Sequence, residues 1–140
     1  MKLKNLKYAF FSIAALLSLT GYSKPSAAYS GYSSVAVNLR AGPGREYPVV
    51  ARITGGAEVN IMGCVGGWTW CDVAWGGTRG WVSGRYLRDE DETGIVDYGP
   101  QVGIPIVTFQ FGPYWDHYYR GRPFYGHWHG GGGHGGHWHH

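Results

Sequence analysis

The sequence predicts an all-β domain, built as a small barrel, over residues 34–88. Three observations carry this. After the N-terminal segment no sustained 3.6-residue apolar periodicity appears, so helices should be scarce. The stretches "AVNLR", "PVVARI", "EVNIMGCV", "WTWCDVAW" and "RGWV" are short alternating runs, the mark of half-buried strands. They are separated by "AGPG", "TGG", "VGG" and "GG", whose glycines supply turns. Short strands with glycine turns pack as sandwiches or barrels, and for a block of only about 55 residues a small barrel is the economical choice.

The chain opens with Lys2, Lys4 and Lys7, followed by an apolar run from Tyr8 to about Leu19 and then Ser26-Ala27-Ala28. This is the pattern of a secretory signal peptide over residues 1–28, cleaved near Ala28. The apolar run falls short of the roughly 20 residues that span a bilayer, so no membrane span is expected. Tyr22 stands where a lipid-attachment signal needs cysteine, so no lipid anchor is expected either. The reading is an extracytoplasmic protein, periplasmic or secreted. All four lysines precede the cut, and the remainder keeps eight arginines against nine acids. That near-neutral balance, with the arginines scattered along the chain, excludes the basic footprint of nucleic-acid binding.

The only two cysteines, Cys64 and Cys71, lie in "CVGGWTWC". Their spacing is not that of a C-x-x-C redox motif, and two sulfurs do not complete a zinc tetrahedron. In an oxidising compartment they are read as a structural disulfide, with two free buried thiols as the alternative. Such a staple restricts the unfolded chain by about 2.5 kcal/mol. Residues 58–65 and 68–75 read as two strands with a tight turn at Gly66-Gly67. Cys71, Val73 and Trp75 share one face, and Trp68, Trp70 and Asp72 the other. Val59 and Ile61 have the opposite parity to Cys64. Pointing all three inward needs one extra residue, and Gly63 is the natural place for that bulge.

A family resemblance rests on Val37-Asn38-Leu39-Arg40 with Gly42-Pro43-Gly44, on Trp70 three residues before Val73, on Gly80-Trp81-Val82 and on Tyr86-Leu87. Over residues 35–87 these resemble the bacterial SH3 (SH3b) domain. The resemblance implies an SH3-like barrel of five or six strands. It also implies a binding module outside the cytoplasm, associated with peptidoglycan or peptides, and no catalysis. "VSGRYL" resembles the 3₁₀ turn before the last SH3 strand, where a tyrosine faces the ligand groove, and Tyr86 is the matching position. Ser83 stands where a groove for proline-rich peptides carries proline, so polyproline recognition is not expected.

Four tryptophans fall between residues 68 and 81, more indole than so small a barrel can bury. The candidate ligand-binding residues are therefore Trp68, Trp70, Tyr86 and Tyr47, with Asn38 and Arg40 beside them. Together they would form a platform for sugar rings or a peptide, because indole and phenol combine an apolar face with a polar tip. The plainer alternative makes Trp75 and Trp81 core, has Trp68 merely cover the hairpin, and has Arg40 brace the following loop.

Beyond the barrel, residues 29–33 read as a short lead and residues 89–101 as an acidic linker. The Asp89-Glu90-Asp91-Glu92 run lacks the spacing of a calcium loop. Val102, Ile104 and Ile106 alternate and suggest one extra strand over residues 102–111, at an edge because of Pro105. Residues 112–140, rich in Gly, Tyr, Trp and His, read as irregular or disordered. His127, His129, His134, His137, His139 and His140 make that tail a candidate ligand set for Zn, Cu or Ni. Asp116-His117 could pair with a serine, but no serine sits in a nucleophile elbow, so no catalytic residue is expected. The partners expected are peptidoglycan or an envelope peptide or protein. Peptide or peptidoglycan binding, metal capture by the tail, and a protein-interaction scaffold are the three functions the sequence allows.

Overall fold

The structure, a computed structural model, describes residues 28–128. The expected signal peptide and all tail histidines except His127 lie outside the described residues.

Seven antiparallel strands form one curled sheet in the order β3-β2-β6-β5-β4-β1-β7: β1 Tyr29–Ser33, β2 Val37–Arg40, β3 Val49–Ile53, β4 Glu58–Cys64, β5 Trp70–Trp75, β6 Thr78–Ser83 and β7 Leu87–Arg88. Among the described residues no ladder joins the edge strands β3 and β7. The expected count of five or six strands is corrected to seven. The added strand is β1, read from the sequence as a lead. Its inward positions are Gly31 and Ser33, too small and polar to show an apolar alternation. Gly31 suits the crowding there, because a Cβ would come within 2.7 Å of Ile61 Cδ1 and force that side chain to shift.

Alternation places Val37, Leu39, Ile53, Val59, Ile61, Val73, Val82 and Leu87 in one core. The bulge falls where parity demands it: Ile61 pairs with Val73 and Gly63 with Asp72, leaving Met62 extra. Val59, Ile61 and Cys64 are all buried as a result. Cys64 and Cys71 face each other across β4 and β5 and form the disulfide. The turn between these strands is not a two-residue hairpin but a 3₁₀ turn, Gly66–Trp68, in which Gly67 takes a positive φ.

Residues after Arg88 depart from the expected linker, strand and tail. Asp89 ends the barrel in a turn, its Oδ1 accepting from the backbone N–H groups of Asp91 (2.9 Å) and Thr93 (2.7 Å). Helix α1, Ile95–Val102, then buries Ile95 and Tyr98 in the barrel core. Gly99 and Gly84 let it lie against the turn, since a Cβ at either would run into Trp68. Gly103, with φ 81°, closes the helix, the usual role of glycine at a C-terminus. Ile104 joins the same core. The expected strand over residues 102–111 is reduced to a single parallel bridge from Ile106 to Cys64. It is held by Cys64 N–H to Pro105 O (3.0 Å) and Val107 N–H to Cys64 O (2.8 Å). Gly63 makes the approach possible, because a Cβ there would collide with Val107.

Helix α2, Phe111–Tyr119, replaces the first part of the expected irregular tail. Phe111, Trp115 and Tyr119, four residues apart, make one face, and Trp115 and Tyr119 are buried. With Ala41, Val50, Tyr114, Phe124 and Tyr125 they build a second, aromatic core outside the barrel. No helix among the described residues is long and apolar enough to cross a membrane.

Candidate functional site

Directly paired antiparallel residues share a face of the sheet. Asn38 pairs with Arg52 and Trp70 with Ser83, and the single β2–β6 pair, Arg40 with Trp81, sets Asn38 facing Ser83. The outer face of the sheet therefore carries one row running Arg52, Asn38, Ser83, Trp70. The next row runs Arg40, Trp81, Asp72. Close crossing of β2 and β6 depends on Gly80, where a Cβ would meet Leu39 and the Arg40 carbonyl oxygen.

The first row opens into a groove of about 330 Å³, whose lining also includes Tyr86, Arg40 and Arg45. Four of the six sequence-predicted residues, Asn38, Arg40, Trp70 and Tyr86, thus converge on one surface. Tyr86 reaches it from the 3₁₀ turn Gly84–Tyr86, with the Arg85 guanidinium 5.4 Å from its ring centre. Arg40 also braces the loop beyond β2, donating from Nη1 to the carbonyls of Arg45 (3.0 Å) and Tyr47 (2.9 Å). Arg52 Nη1 donates to Asn38 Oδ1 at 3.2 Å. Two cations in this groove, Arg45 and Arg52, were not singled out in the sequence. They look scattered along the chain, and only the β2–β3 pairing brings them together.

Trp68 and Tyr47 do not reach the groove. Trp68 is partly buried against the barrel core, beneath α1, with its Nε1 unpartnered. Tyr47 is turned to the extension, its ring 5.3 Å from that of Phe109 and 5.6 Å from that of Phe111. Burial, and then the nearby Glu46 charge, raise its hydroxyl pKa.

The second row is roofed by the extension. Trp81 is only 1% exposed, yet it cannot share the barrel interior with its neighbour Val82. It meets Phe109 (5.2 Å) and Tyr114 (5.9 Å) instead. Trp81 is thus a core residue, as the plainer alternative has it, but on the outer face of the sheet, whereas Trp75 packs partly buried on the inner core. Beside Trp81, Asp72 accepts two bonds from Arg79, Nε at 2.6 Å and Nη2 at 2.8 Å, and a third from Tyr114 Oη at 2.7 Å. Arg79 also lies 4.6 Å from the Tyr118 ring centre, and Tyr119 Oη donates to the Arg79 carbonyl. Burial chiefly, then the Asp72 charge, push the Tyr114 and Tyr119 hydroxyls well above the usual tyrosine range.

The wall of β2, the Arg40 loop, the bulged hairpin and the 3₁₀ turn before β7 all fall in one stretch. Residues 35–88 match the family of the bacterial SH3 domain. This segment is a bacterial SH3 domain. No curated protein matches the chain. The bacterial SH3 domain is a binding module, commonly of the cell wall. Here the matched segment includes the whole groove, whereas β1, α1 and α2 lie outside it. Among the described residues no group of His, Cys, Asp and Glu is arranged to hold a metal. His127 is exposed.

Proposed function

We propose that the protein is an exported, non-catalytic binding module of the cell envelope that takes peptidoglycan or an envelope peptide in the groove between Arg52 and Trp70. The observation that carries this is convergence. Asn38, Arg40, Trp70 and Tyr86, which the sequence singles out by type and motif, meet on one concave polar surface. An aromatic pair flanked by amide and guanidinium donors suits a chain that offers both C–H faces and polar groups. The amino-terminal export pattern and the buried disulfide support a place outside the cytoplasm.

The test is co-sedimentation of the mature chain with purified peptidoglycan, run beside Trp70→Ala. Retention of the wild type and its loss in the variant are expected. Equal retention of both removes this groove from the reading, and no retention of the wild type removes the cell-wall ligand.

A further inference from the structure

The groove is cationic as well as aromatic. Three guanidiniums, those of Arg40, Arg45 and Arg52, line it, and no carboxylate does. Glu46, the nearest acid in sequence to Arg45, turns its carboxylate back over Gly44 instead. The single ion pair among the described residues, Arg79 with Asp72, lies in the roofed row. Arg40 is occupied by two backbone carbonyls and Arg52 by one neutral amide oxygen, so Arg45 and Arg52 carry charges that no carboxylate among the described residues answers.

Three guanidiniums in one groove, with no carboxylate in its lining, are an arrangement that selects the sign of a ligand. A guanidinium offers a planar fork of donors that matches a carboxylate in two bonds. Trp70 and Tyr86 supply the apolar faces on which the adjoining chain can lie.

Resting on the reading above, we propose that what the groove recognises is a free carboxylate on a short peptide, held by Arg45 and Arg52. In peptidoglycan the source is the uncapped stem peptide and not the glycan strand. An envelope protein's carboxyl terminus offers the same chemistry.

Two probe pairs separate the possibilities, each measured with the mature chain and with an Arg45→Gln/Arg52→Gln double variant. The first pair is purified peptidoglycan, native or with its carboxyl groups amidated. The second is a short peptide with a free or an amidated C-terminus. Loss of both cations exchanges charge-assisted bonds for neutral ones, which corresponds to a drop of about tenfold or more in affinity. Amidation should give a comparable drop, and the two changes together should give little more than either alone. Retention that is equal on native and amidated peptidoglycan overturns this inference and leaves the cell-wall reading intact. Binding of the free-carboxylate peptide alone, without peptidoglycan retention, upholds the inference and removes the cell wall as its source. Binding that survives amidation but is displaced by inorganic phosphate assigns the groove to a phosphate chain and overturns the inference. If no free-carboxylate probe binds, both readings fall.

Discussion

Two neighbouring rows on the same outer face of the sheet have opposite fates. Arg52, Asn38, Ser83 and Trp70 stay open to solvent as a groove, while Trp81 and Asp72 lie beneath the aromatic extension and Arg40, at the end of their row, still lines the groove. Each row contains an indole, so hydrophobicity alone does not separate them. The difference lies in what happens to the charge beside the indole. In the roofed row Asp72 receives Arg79 and the Tyr114 hydroxyl, so it can leave water with its acceptor capacity filled. In the groove that the open row forms, Arg52 and the loop residue Arg45 have no counter-charge among the described residues, and covering them would strand two cations at a cost of several kcal/mol each. The extension settles where the electrostatics close, and the row that does not close stays open.

The sharpest way to break this comparison is to remove one indole from each row. Trp81→Ala should cost about 3–5 kcal/mol of stability, as for deletion of a buried aromatic side chain, and should detach α2. Trp70→Ala should cost less than about 1 kcal/mol while abolishing retention on the ligand. Urea midpoints followed by near-ultraviolet circular dichroism measure both, and equal destabilisation would show that the rows do not differ as claimed. A smaller effect, about 2 kcal/mol, is expected for Asp72→Asn, which leaves the partly buried Arg79 without its carboxylate. Its counterpart in the open row, Arg52→Gln, should stay within about 0.5 kcal/mol. A destabilisation by Arg52→Gln as large as that of Asp72→Asn would mean that Arg52 is a structural residue.

Much of the sheet could be read from residue parity. The parity mismatch between Ile61 and Cys64 calls for a bulge at Gly63, because a strand can correct its register only by adding a residue, and the extra residue is its neighbour Met62. Parity also held the information that was missed. Trp81 and Val82 are adjacent and cannot both face inward, and Val82 is the one in the barrel core. What the sequence concealed were elements whose local signals oppose their structure. Strand β1 buries Gly31 and Ser33. Helix α1 contains Gly99 and Pro100 and depends on packing against Trp68. Helix α2 shows its Phe111, Trp115, Tyr119 stripe only if Gly112 and Pro113 are accepted in the first turn, where proline's missing N–H costs nothing. The groove was half legible: Asn38, Arg40, Trp70 and Tyr86 stood out by type and motif. Arg45 and Arg52 acquire meaning only from the β2–β3 ladder, and Tyr47 and Trp68 were claimed by an extension whose structure the sequence did not reveal.

Within the covered row, the smallest expected effect tests the roof through its protons. Tyr114 Oη donates to Asp72, and Tyr114→Phe removes that bond at a cost of about 1 kcal/mol near neutral pH. The bond also makes the roof sensitive to alkali. In the unfolded chain a tyrosine loses its proton around pH 10.0, whereas burial beside Asp72 holds the proton on folded Tyr114 to higher pH. Above that point the unfolded state binds fewer protons than the folded one, so stability must fall as pH rises, and below it nothing is lost. Tyr98, pushed up to about 12 mainly by burial in the barrel, and Tyr119 beside Arg79 act in the same direction. The urea midpoint should therefore be insensitive to tyrosine ionisation between about pH 7 and about pH 9 and decline from about pH 10 upward. The decline should be shallower in Tyr114→Phe but not absent, because Tyr98 and Tyr119 remain. Identical alkaline declines in wild type and variant would mean that Tyr114 is not held neutral beneath the roof, and that the closure of charge around Asp72 is not what keeps the second row covered.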